Sequence, residues 1–300
     1  MKVSAIITTM NRAGLLKKAI ESVLNQTHKD FELIVLDNNS KDETEKVVRN
    51  FTDSRIIYIR HKQIGISEAR NLGVKNAHGE YVGFLDDDDE WLPNKLELQV
   101  ALFERSSSRI GLVYGGFERI NPDGIVYSIF TPRLRGDVFW GYFCDRDPLT
   151  GSASNPLMRK EVFTVVGGYD EKIKTSEDWE FYLRLARKYE FDFVPKSVVR
   201  IRQHAGPRLG DRLEDAAYTE IVACEEFGDI LKDRPRCHSN YLQTIGGKYC
   251  RVGKSKIGRK YLREAISKDP LNVVAYVQYT FSFLGKKLYQ KLHKAYKLFR

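Results

Sequence analysis

The sequence predicts an α/β protein with a mostly parallel central sheet, followed by a helical C-terminal region. Short β-branched apolar runs alternate with segments of helical period over the first hundred residues. The pattern becomes mixed after residue 110, and from about residue 211 onward only helical periodicity is found. We therefore divide the chain into residues 1–210, with halves 1–110 and 111–210, and a helical region 211–300.

The first half is predicted to hold four strands, each followed by a helix. Ser40 and Glu43 have the spacing of a capping box, so Ser40 is predicted to cap the second helix. In parallel sheets ligands bind at the carboxyl ends of the strands, so the residues that follow each strand are of most interest. The predicted strands are Val3–Ile7, Phe31–Leu36, Ile56–Ile59 and Tyr81–Leu85, and the helices begin near Ala13, Ser40, Ser67 and Pro93.

The second half has a different order of elements. Asn121–Gly124 is a strong turn signal between two apolar runs, so a hairpin is predicted there. A helix is predicted over 176–189, and two strands over 191–194 and 198–202.

The net charge of +9 is confined to the C-terminal end. Residues 251–300 hold 13 Lys and Arg against 2 Asp and Glu, whereas the rest of the chain is close to neutral. A basic tail of this kind fits a polyanionic partner such as anionic lipid. Apolar and basic residues alternate at helical spacing over 284–300, which indicates either a helix lying on an anionic membrane surface or one packed on its own domain.

No stretch is long enough for a membrane-spanning helix. The longest apolar segment, Val273–Leu284, is interrupted by polar residues and falls short of the ~20 residues that a span requires. The N-terminal apolar stretch is too short for a signal peptide and is predicted to be the first strand. We therefore expect a cytoplasmic protein, with peripheral attachment to the cytoplasmic membrane face as an option.

Four consecutive aspartates, Asp86–Asp89, follow the predicted strand Tyr81–Leu85 directly. Crowded carboxylates repel one another unless a cation or solvent offsets their charge. A hard divalent cation takes one or two such carboxylates, and phosphate oxygens and water complete its coordination. The alternative is a solvated acidic loop. Polar residues also follow the first strand, at 8–12, and the second, at 37–40, so three strand ends converge on one predicted crevice.

Five motifs at characteristic spacing carry a resemblance to a known family. Residues 1–205 resemble family 2 glycosyltransferases of the GT-A fold. The resemblance implies an inverting enzyme that moves a sugar from a nucleotide-diphosphate sugar, with UDP as the usual nucleotide, to a hydroxyl of a glycan or lipid-linked acceptor. It also implies dependence on Mn²⁺ or Mg²⁺. The motifs are Val3–Arg12, Asp30–Asp37, Ala69–Asn71, Gly79–Asp89 and Glu177–Trp179.

The resemblance also implies roles for residues on the donor side. Thr8 would line the pocket for the nucleotide base, and Arg70 would lie near the nucleotide. Asn38 stands where the family usually has an aspartate that hydrogen-bonds uracil. Asn offers a donor as well as an acceptor, so thymine and guanine stay open beside uracil.

The acidic run resembles the family's DxD motif. Asp86 would face the ribose and the metal, Asp88 would ligate the metal that bridges the diphosphate, and Asp87 could share the ribose role. His204 follows the last predicted strand, where related enzymes can use a histidine to reach the metal or the diphosphate; a structural histidine is the alternative.

Asp178 matches the position of the family's general base. It would remove the proton of the acceptor hydroxyl while the anomeric carbon is attacked opposite the diphosphate. Glu177 is the second candidate for the base, and Trp179 would form an apolar platform for an acceptor sugar. The alternative for Asp178 is an ordinary acidic first turn of a helix, and the alternative for Trp179 is a place in the core.

Two other functions remain open. A nucleotidyltransferase could use a similar sheet, but the segment Thr8–Arg12 lacks the Gly-rich phosphate loop with a lysine that such an enzyme needs. A scaffold could bind a membrane or nucleic acid through the basic tail. We expect no nucleic-acid partner.

Overall fold

The computed structural model describes residues 2–145, 149–203 and 212–298, with side chains up to residue 293. The chain forms two compact units. The first unit comprises Met1–Lys172 and Phe181–Gly206, and the second comprises Ile173–Glu180 and Pro207–Arg300. The segment Ile173–Glu180 thus belongs with the helical residues, although the sequence placed it within 111–210. The predicted domain boundary at 210 lies in a stretch outside the described residues and stays a prediction.

Within the described residues, nine strands form one sheet in the first unit, in the order β3-β2-β1-β4-β8-β6-β9-β5, and β7 pairs with β6 alone. The strands are β1 (Val3–Thr9), β2 (Phe31–Asp37), β3 (Ile56–Arg60), β4 (Tyr81–Asp86), β5 (Glu90–Trp91), β6 (Ile110–Ile120), β7 (Val126–Phe130), β8 (Leu157–Arg159) and β9 (Glu190–Arg202).

The parallel half of the sheet agrees with the sequence prediction. The strands β3, β2, β1 and β4 are parallel neighbours, and all four were predicted to within two residues at each end. Beyond β4 the sheet is mixed, because β8 runs antiparallel to both β4 and β6. β6 and β9 are parallel.

Residues 191–202 form one strand, whereas two were predicted. Pro195 and Lys196 interrupt the apolar pattern, but β9 continues through them. Its register against β6 steps from Val194 opposite Gly115 to Ser197 opposite Gly116, so the two extra residues form a bulge.

Helices cover the sheet of the first unit, and among its described residues six helices lie wholly inside this unit. They are α1 (Ala13–Leu24), α2 (Thr44–Arg49), α3 (Ile66–Lys75), α4 (Lys95–Glu104), α5 (Phe139–Phe143) and α6 (Lys160–Val166). A further helix, α7 (Glu177–Ala186), begins in the segment assigned to the second unit.

The prediction that Ser40 caps α2 is wrong. The helix begins at Thr44, and its first turn is held by Asp42, which accepts hydrogen bonds from the Thr44 backbone N–H and hydroxyl at 3.1 and 2.5 Å. Ser40 is buried and accepts from the backbone N–H of Asn11 at 2.9 Å. The hydroxyl therefore joins two strand ends instead of capping a helix.

The core of the first unit lies between the sheet and its helices. On β1 and β2 every residue except Thr8 is buried, as expected for central strands covered on both faces. Helix α1 buries Leu16, Ala19, Ile20 and Val23 against this sheet, the spacing that predicted the helix.

The second unit is helical, as predicted, and its helices are α8 (Leu213–Glu226), α9 (Gly228–Leu231), α10 (Pro235–Val252), α11 (Ser255–Lys268), α12 (Val273–Phe281) and α13 (Lys286–Leu298). Glycines permit a close approach of α10 and α11: a Cβ on Gly258 would stand 2.7 Å from the carbonyl oxygen of Gly246. Tyr289 of α13 is 1% exposed and packs with Cys250 and Leu262, so α13 packs on its own unit through this residue.

The tail residues Leu284 and Leu288 are 48% and 44% exposed, and the remaining side chains of the predicted stripe beyond residue 293 lie outside the described residues. Among the helices that the structure describes, none combines the length and the apolar character needed to cross a bilayer.

Candidate active site

Three strands end at the same edge of the sheet. In the register of β1 and β2, Thr9 is opposite Asp37, and in the register of β1 and β4, Thr8 is opposite Asp86. The convergence of these polar strand ends was predicted, and the register brings Thr8 and Asp86 side by side. Thr8 is half-buried.

The four aspartates form a tight turn at this edge. Asp86 is the last residue of β4, and the backbone N–H of Asp89 donates to the Asp86 carbonyl at 3.1 Å. One carboxylate oxygen from each of Asp86, Asp88 and Asp89 lies within 4.8 Å of the others. The turn therefore gathers three of the four side chains and directs Asp87 elsewhere.

Arg70 holds Asp86. Its guanidinium Nη2 donates to Asp86 Oδ1 at 2.7 Å, and the arginine is buried beside the rings of Phe84 and Tyr169. The Asp86 side chain keeps 32% of its surface exposed. A buried arginine of this kind fixes the carboxylate in position and offsets part of the negative charge of the cluster.

Asp87 points into the protein. Its oxygens accept from Thr9 Oγ1 at 2.8 Å and from Arg12 Nη1 at 3.0 Å, and the residue is 5% exposed. Burial raises the pKa of Asp87 to about 6, against the effect of the Arg12 charge, which lowers it. These contacts stabilise the conformation of the acidic turn.

Arg12 and Arg202 both contact Asp88, the third aspartate of the turn. Arg12 Nη1 also donates to Asp88 Oδ2 at 2.6 Å, so one guanidinium nitrogen bridges Asp87 and Asp88. Arg202 Nε donates to the backbone carbonyl of Asp88 at 3.2 Å, and its Nη2 is paired with Glu90. Arg12 stays 46% exposed, whereas Arg202 is buried.

Asp89 is the most enclosed member of the cluster, at 3% exposed. Its Oδ2 accepts from Ser154 Oγ at 2.7 Å and from Ser152 Oγ at 3.3 Å, and its Oδ1 accepts from the backbone N–H of Arg202 at 2.9 Å. Burial raises the pKa of Asp89 well above its ordinary value, and the negative charges of Asp86 and Asp88 raise it further.

The cluster suits a hard divalent cation. Its ligand atoms are carboxylate oxygens, which Mg²⁺ and Mn²⁺ prefer, and Asp86 and Asp88 keep 32% and 15% of their side chains exposed. The pKa of Asp89 is raised first by burial and then by the charges of Asp86 and Asp88, and a bound cation would offset that negative charge. Asp86 and Asp88 would hold the ion, and Asp89 would support them.

Asn38 uses its side chain within the protein. Its Nδ2 donates to the carbonyl oxygen of Ile64 and its Oδ1 accepts from the N–H of Ile64, both at 2.9 Å. This pair of hydrogen bonds ties the end of β2 to the loop before α3. A nucleotide base would have to use the second amide hydrogen or the second lone pair of Oδ1.

The predicted acceptor-side residues lie in the first turn of α7, as expected. Glu177 is buried, whereas Asp178 and Trp179 are half-buried. Asp178 Oδ1 accepts from the backbone N–H of Trp179 at 2.8 Å, and the Trp179 ring packs 5.9 Å from the ring of Tyr241. Ser176, just before the helix, has a φ of 56°. His204 lies outside the described residues.

Several residues that the structure brings to the cluster had no individual role in the prediction. Thr9, Arg12 and Asp89 lie in segments that were predicted to form the site, whereas Ser152, Ser154 and Arg202 were not marked at all. Arg12 follows β1 and Arg202 is the last residue of β9, so their positions at the sheet edge were accessible to the strand-end rule. Ser152 and Ser154 lie more than 60 residues from Asp89, and nothing in their local sequence marks them.

The sequence of the chain matches two family profiles. The profile for "Glycosyl transferase family 2" matches residues 4–163, and that for "Glycosyltransferase like family 2" matches residues 133–244. An uncharacterised glycosyltransferase of Rickettsia conorii is 31% identical over 220 residues, 68% of this chain, and the chain spans only 34% of that relative's length.

A named relative and two solved structures are also similar. The Escherichia coli enzyme WfgD, a UDP-Glc:alpha-D-GlcNAc-diphosphoundecaprenol beta-1,3-glucosyltransferase, is 38% identical over 132 residues, which is 44% of this chain and 51% of WfgD. Staphylococcus aureus TarS 1–349 in complex with UDP-GlcNAc has a TM-score of 0.64 at 16% identity, with 97% of this chain and 92% of TarS 1–349 covered.

The mannosyltransferase PcManGT from Pyrobaculum calidifontis, in complex with GDP-Man and Mn²⁺, has a TM-score of 0.59 at 18% identity, and the match covers 94% of this chain and 80% of PcManGT. At these identities the two structures show the fold, which confirms the predicted GT-A architecture with its helical C-terminal region. The sheet edge, its acidic turn and the matched profiles lead to one conclusion: the chain belongs to glycosyl transferase family 2.

Proposed function

We propose that this chain transfers a sugar from a UDP-sugar to a hydroxyl of a lipid-linked glycan, with inversion at the anomeric carbon. Family membership supports a glycosyltransferase. The donor and acceptor classes follow the relatives, since WfgD is described as acting on a diphosphoundecaprenol-linked sugar and TarS 1–349 was solved with UDP-GlcNAc.

The observation that carries the proposal is the cluster of Asp86, Asp88 and Asp89 at the carboxyl edge of the parallel strands. A divalent cation held by Asp86 and Asp88 would neutralise charge on the leaving diphosphate. Mn²⁺ and Mg²⁺ both suit these ligands, and the PcManGT structure was solved with Mn²⁺.

On the donor side, the protein's own residues would orient the nucleotide. Arg70 holds the Asp86 carboxylate, so it would act through Asp86 and through its positive charge near the diphosphate. Thr8, beside Asp86 in the sheet, would contact the base or ribose. Asn38 would shape the base pocket by anchoring Ile64, in addition to any hydrogen bond with the base.

On the acceptor side, we assign the general base to Asp178, with Glu177 as the alternative. The carboxylate would take the proton of the acceptor hydroxyl as the oxygen attacks the anomeric carbon from the face opposite the diphosphate. The bond from that carbon to the diphosphate oxygen breaks in the same step, which inverts the configuration. The N-terminus of α7 favours the ionised carboxylate that a base requires. Trp179 would stack on an acceptor sugar.

The metal site is tested with Asp88→Asn. The variant keeps the size of the side chain but removes its charge, and we expect release of UDP from UDP-sugars in the presence of Mn²⁺ to fall at least about a hundredfold. Asp123→Asn, at an exposed position in the β6–β7 turn, is the matched control and should behave like the wild type. Equal turnover in Asp88→Asn and wild type would contradict the metal site, whereas no turnover in either protein would favour a scaffold that acts through its basic tail.

The base is tested with Asp178→Ala. Transfer to the acceptor should fall by a factor of about 10²–10⁴, while the affinity for UDP with Mn²⁺ stays within about twofold of the wild type. Loss of UDP binding in this variant would contradict the assignment, because a base on the acceptor side does not hold the donor. Glu177→Gln distinguishes the two carboxylates.

A further inference from the structure

The β6–β7 hairpin presents apolar side chains to solvent. Ile125, Tyr127 and Ile129 are 63%, 52% and 65% exposed, and no charged residue occurs from Ile125 to Pro132. In the part of the chain that the structure describes, β7 pairs with β6 alone, so it is an edge strand. Exposed edge strands that carry apolar residues are usually protected by charge or cover, and this one lacks such charges.

Along β7 only Phe130 is partly buried. It stacks on the buried Phe117 of β6 at 4.7 Å between ring centroids, whereas Val126–Ile129 are exposed. The register against β6 shifts at Tyr127, so strict alternation of the side chains is interrupted there. Ile125, Tyr127 and Ile129 are the most exposed apolar residues of the hairpin. We call these three residues the hairpin face.

The hairpin is joined to the acidic turn by one side chain. Arg202 Nη1 donates to the carbonyl oxygen of Pro122 in the hairpin turn at 3.0 Å, and its Nε donates to the carbonyl oxygen of Asp88 at 3.2 Å. Tyr127 of the hairpin face is hydrogen-bonded to Gln203 at the end of β9. The hairpin face thus stands at the rim of the candidate active site.

The surroundings of the hairpin face are basic. Arg119, Arg133 and Arg135 are all exposed, and Asp123 is the single acidic residue from 119 to 135. Glu118, opposite Ile129 on β6, is paired with Arg200 at 2.9 Å, so its charge is balanced. Arg135 has a loose contact with Asp192 at 3.6 Å and stays 63% exposed. An apolar face flanked by arginines is complementary to a membrane surface that has hydrocarbon beneath anionic headgroups.

A second copy of the chain fits this face less well. Three side chains of this exposure offer on the order of 300 Å² of surface, whereas a stable dimer buries roughly 800 Å² on each partner. Reversible attachment to a bilayer needs far less apolar surface, because a few apolar side chains and nearby cations are enough.

We propose that the β6–β7 hairpin docks on the surface of a membrane that contains anionic lipid, with the hairpin face inserted between headgroups and the flanking arginines at headgroup level. The docked hairpin would hold the rim of the active site at the surface from which a lipid-linked acceptor projects. The biological setting rests on the proposed function, but the docking itself is measured without donor or acceptor.

The experiment is flotation of the full chain with lipid vesicles, either neutral or containing about a third anionic lipid. The test variant is Ile125→Thr with Ile129→Thr, which keeps β-branched residues on the strand. It should bind the anionic vesicles about tenfold more weakly than the wild type. Val165→Thr removes an apolar surface of 60% exposure on α6 and is the matched control; it should bind like the wild type.

The contribution of charge is measured separately. Arg133→Gln with Arg135→Gln should weaken binding to anionic vesicles by about fivefold for each arginine and leave binding to neutral vesicles unchanged. Melting temperatures within a few degrees of the wild type, together with retained Mn²⁺-dependent UDP binding, show that the variants are folded and that the donor site is intact.

Three results would overturn the proposal. In the first, the wild type binds neither kind of vesicle. In the second, the isoleucine variant binds as tightly as the wild type, which would move attachment to another surface such as residues 284–300. In the third, the wild type is dimeric in vesicle-free solution and the isoleucine variant is monomeric, which would identify a second copy as the occupant. Failure of the proposed function would appear instead as absent UDP–Mn²⁺ binding with vesicle binding unchanged.

Discussion

At the edge of the sheet, one serine hydroxyl contacts two of the four aspartates. Ser154 Oγ donates to Asp89 Oδ2 at 2.7 Å and accepts from the backbone N–H of Asp86 at 3.1 Å. The serine is itself fixed, because its carbonyl oxygen accepts from Trp91 Nε1 at 2.7 Å. Its neighbour Asn155 accepts from the buried Lys95 at 2.6 Å. Ser154 is therefore a positioning residue for the acidic turn.

Ser154→Ala should weaken Mn²⁺ binding about tenfold, because the backbone of Asp86 and the carboxylate of Asp89 lose their shared anchor. The free energy of unfolding should also fall by about 1–3 kcal/mol, since a buried hydrogen bond to a carboxylate is lost. Mn²⁺ affinity is measured by titration of the folded protein, and stability by urea denaturation.

Ser239→Ala is the matched control for this prediction. Ser239 is also fully buried, and its hydroxyl donates to the carbonyl oxygen of Ala265 at 2.7 Å in the second unit. The control should lose stability while its Mn²⁺ affinity is unchanged. If both variants kept wild-type affinity, Ser154 would be structural only.

Among the elements, the turn before β4 depends on a glycine. A Cβ on Gly79 would stand 2.6 Å from the backbone nitrogen of Ser4 and 2.7 Å from the carbonyl carbon of Val3. Such distances are too short for a real contact, and backbone atoms of a central strand have little freedom to shift. The glycine therefore permits β4 to begin directly against β1.

Gly79→Ala should lower the free energy of unfolding by about 1–3 kcal/mol, because β1 must move to admit the methyl group. Gly14→Ala is the opposite case, since no atom lies within 4 Å of its Cβ position near the start of α1. It should raise stability by up to about 1 kcal/mol. Urea denaturation of both variants checks the contrast, and equal effects would contradict it.

The same turn carries a pH dependence through Glu32 of β2. Burial by itself raises the pKa of Glu32, but hydrogen bonds from the Ser4 hydroxyl at 2.5 Å and the His78 backbone N–H at 2.6 Å outweigh it. The pKa in the folded state is therefore lower than the ordinary value of 4.5. A carboxyl of lowered pKa stabilises the fold above its unfolded pKa, and this contribution is lost as the pH falls through the folded pKa.

We expect the wild type to lose stability as the pH falls below about 4.5, and Glu32→Gln to lose less over the same range. Glu68→Gln, at an exposed position on α3, should follow the wild type. The measurement is the free energy of unfolding at a series of pH values. Parallel curves for Glu32→Gln and wild type would contradict the prediction.

For the whole molecule, removal of the metal should abolish the stabilisation of the folded state by bound UDP. A ligand that binds only the folded state stabilises it by RT ln(1 + [L]/Kd), about 2.7 kcal/mol at a hundred times Kd. UDP with Mn²⁺ should therefore raise Tm by several degrees, and UDP with EDTA should leave it unchanged. The same increase in Tm in EDTA would mean that the nucleotide binds without the acidic turn.

The strand–helix alternation of the first hundred residues determined much of the fold and part of the site. Apolar runs of five or six residues, such as Tyr81–Leu85, are too short for a buried helix and are followed by turn residues, so their strand character is local information. Because parallel strands share their carboxyl edge, the convergence of Thr8, Asp37 and Asp86 follows from the strand assignment alone.

Contacts that the local pattern did not encode were decided by the tertiary structure. The sequence predicted Ser40 to be a helix cap, but in the structure its hydroxyl accepts a hydrogen bond from the backbone N–H of Asn11. Asn38 pairs with Ile64, 26 residues away, and the bulge that makes β9 continuous exists only because β6 lies beside it.

The sequence by itself determined the family, the α/β architecture and the presence of a carboxylate cluster after the fourth strand, because these depend on periodicity and on motifs of short range. The tertiary structure alone decided which aspartate turns inward, which serine and arginine hold the others, and that β7 leaves an apolar face in solvent. The physical reason is that these partners are brought together by packing between residues 16 to 114 positions apart, and no local pattern in the chain encodes their pairing.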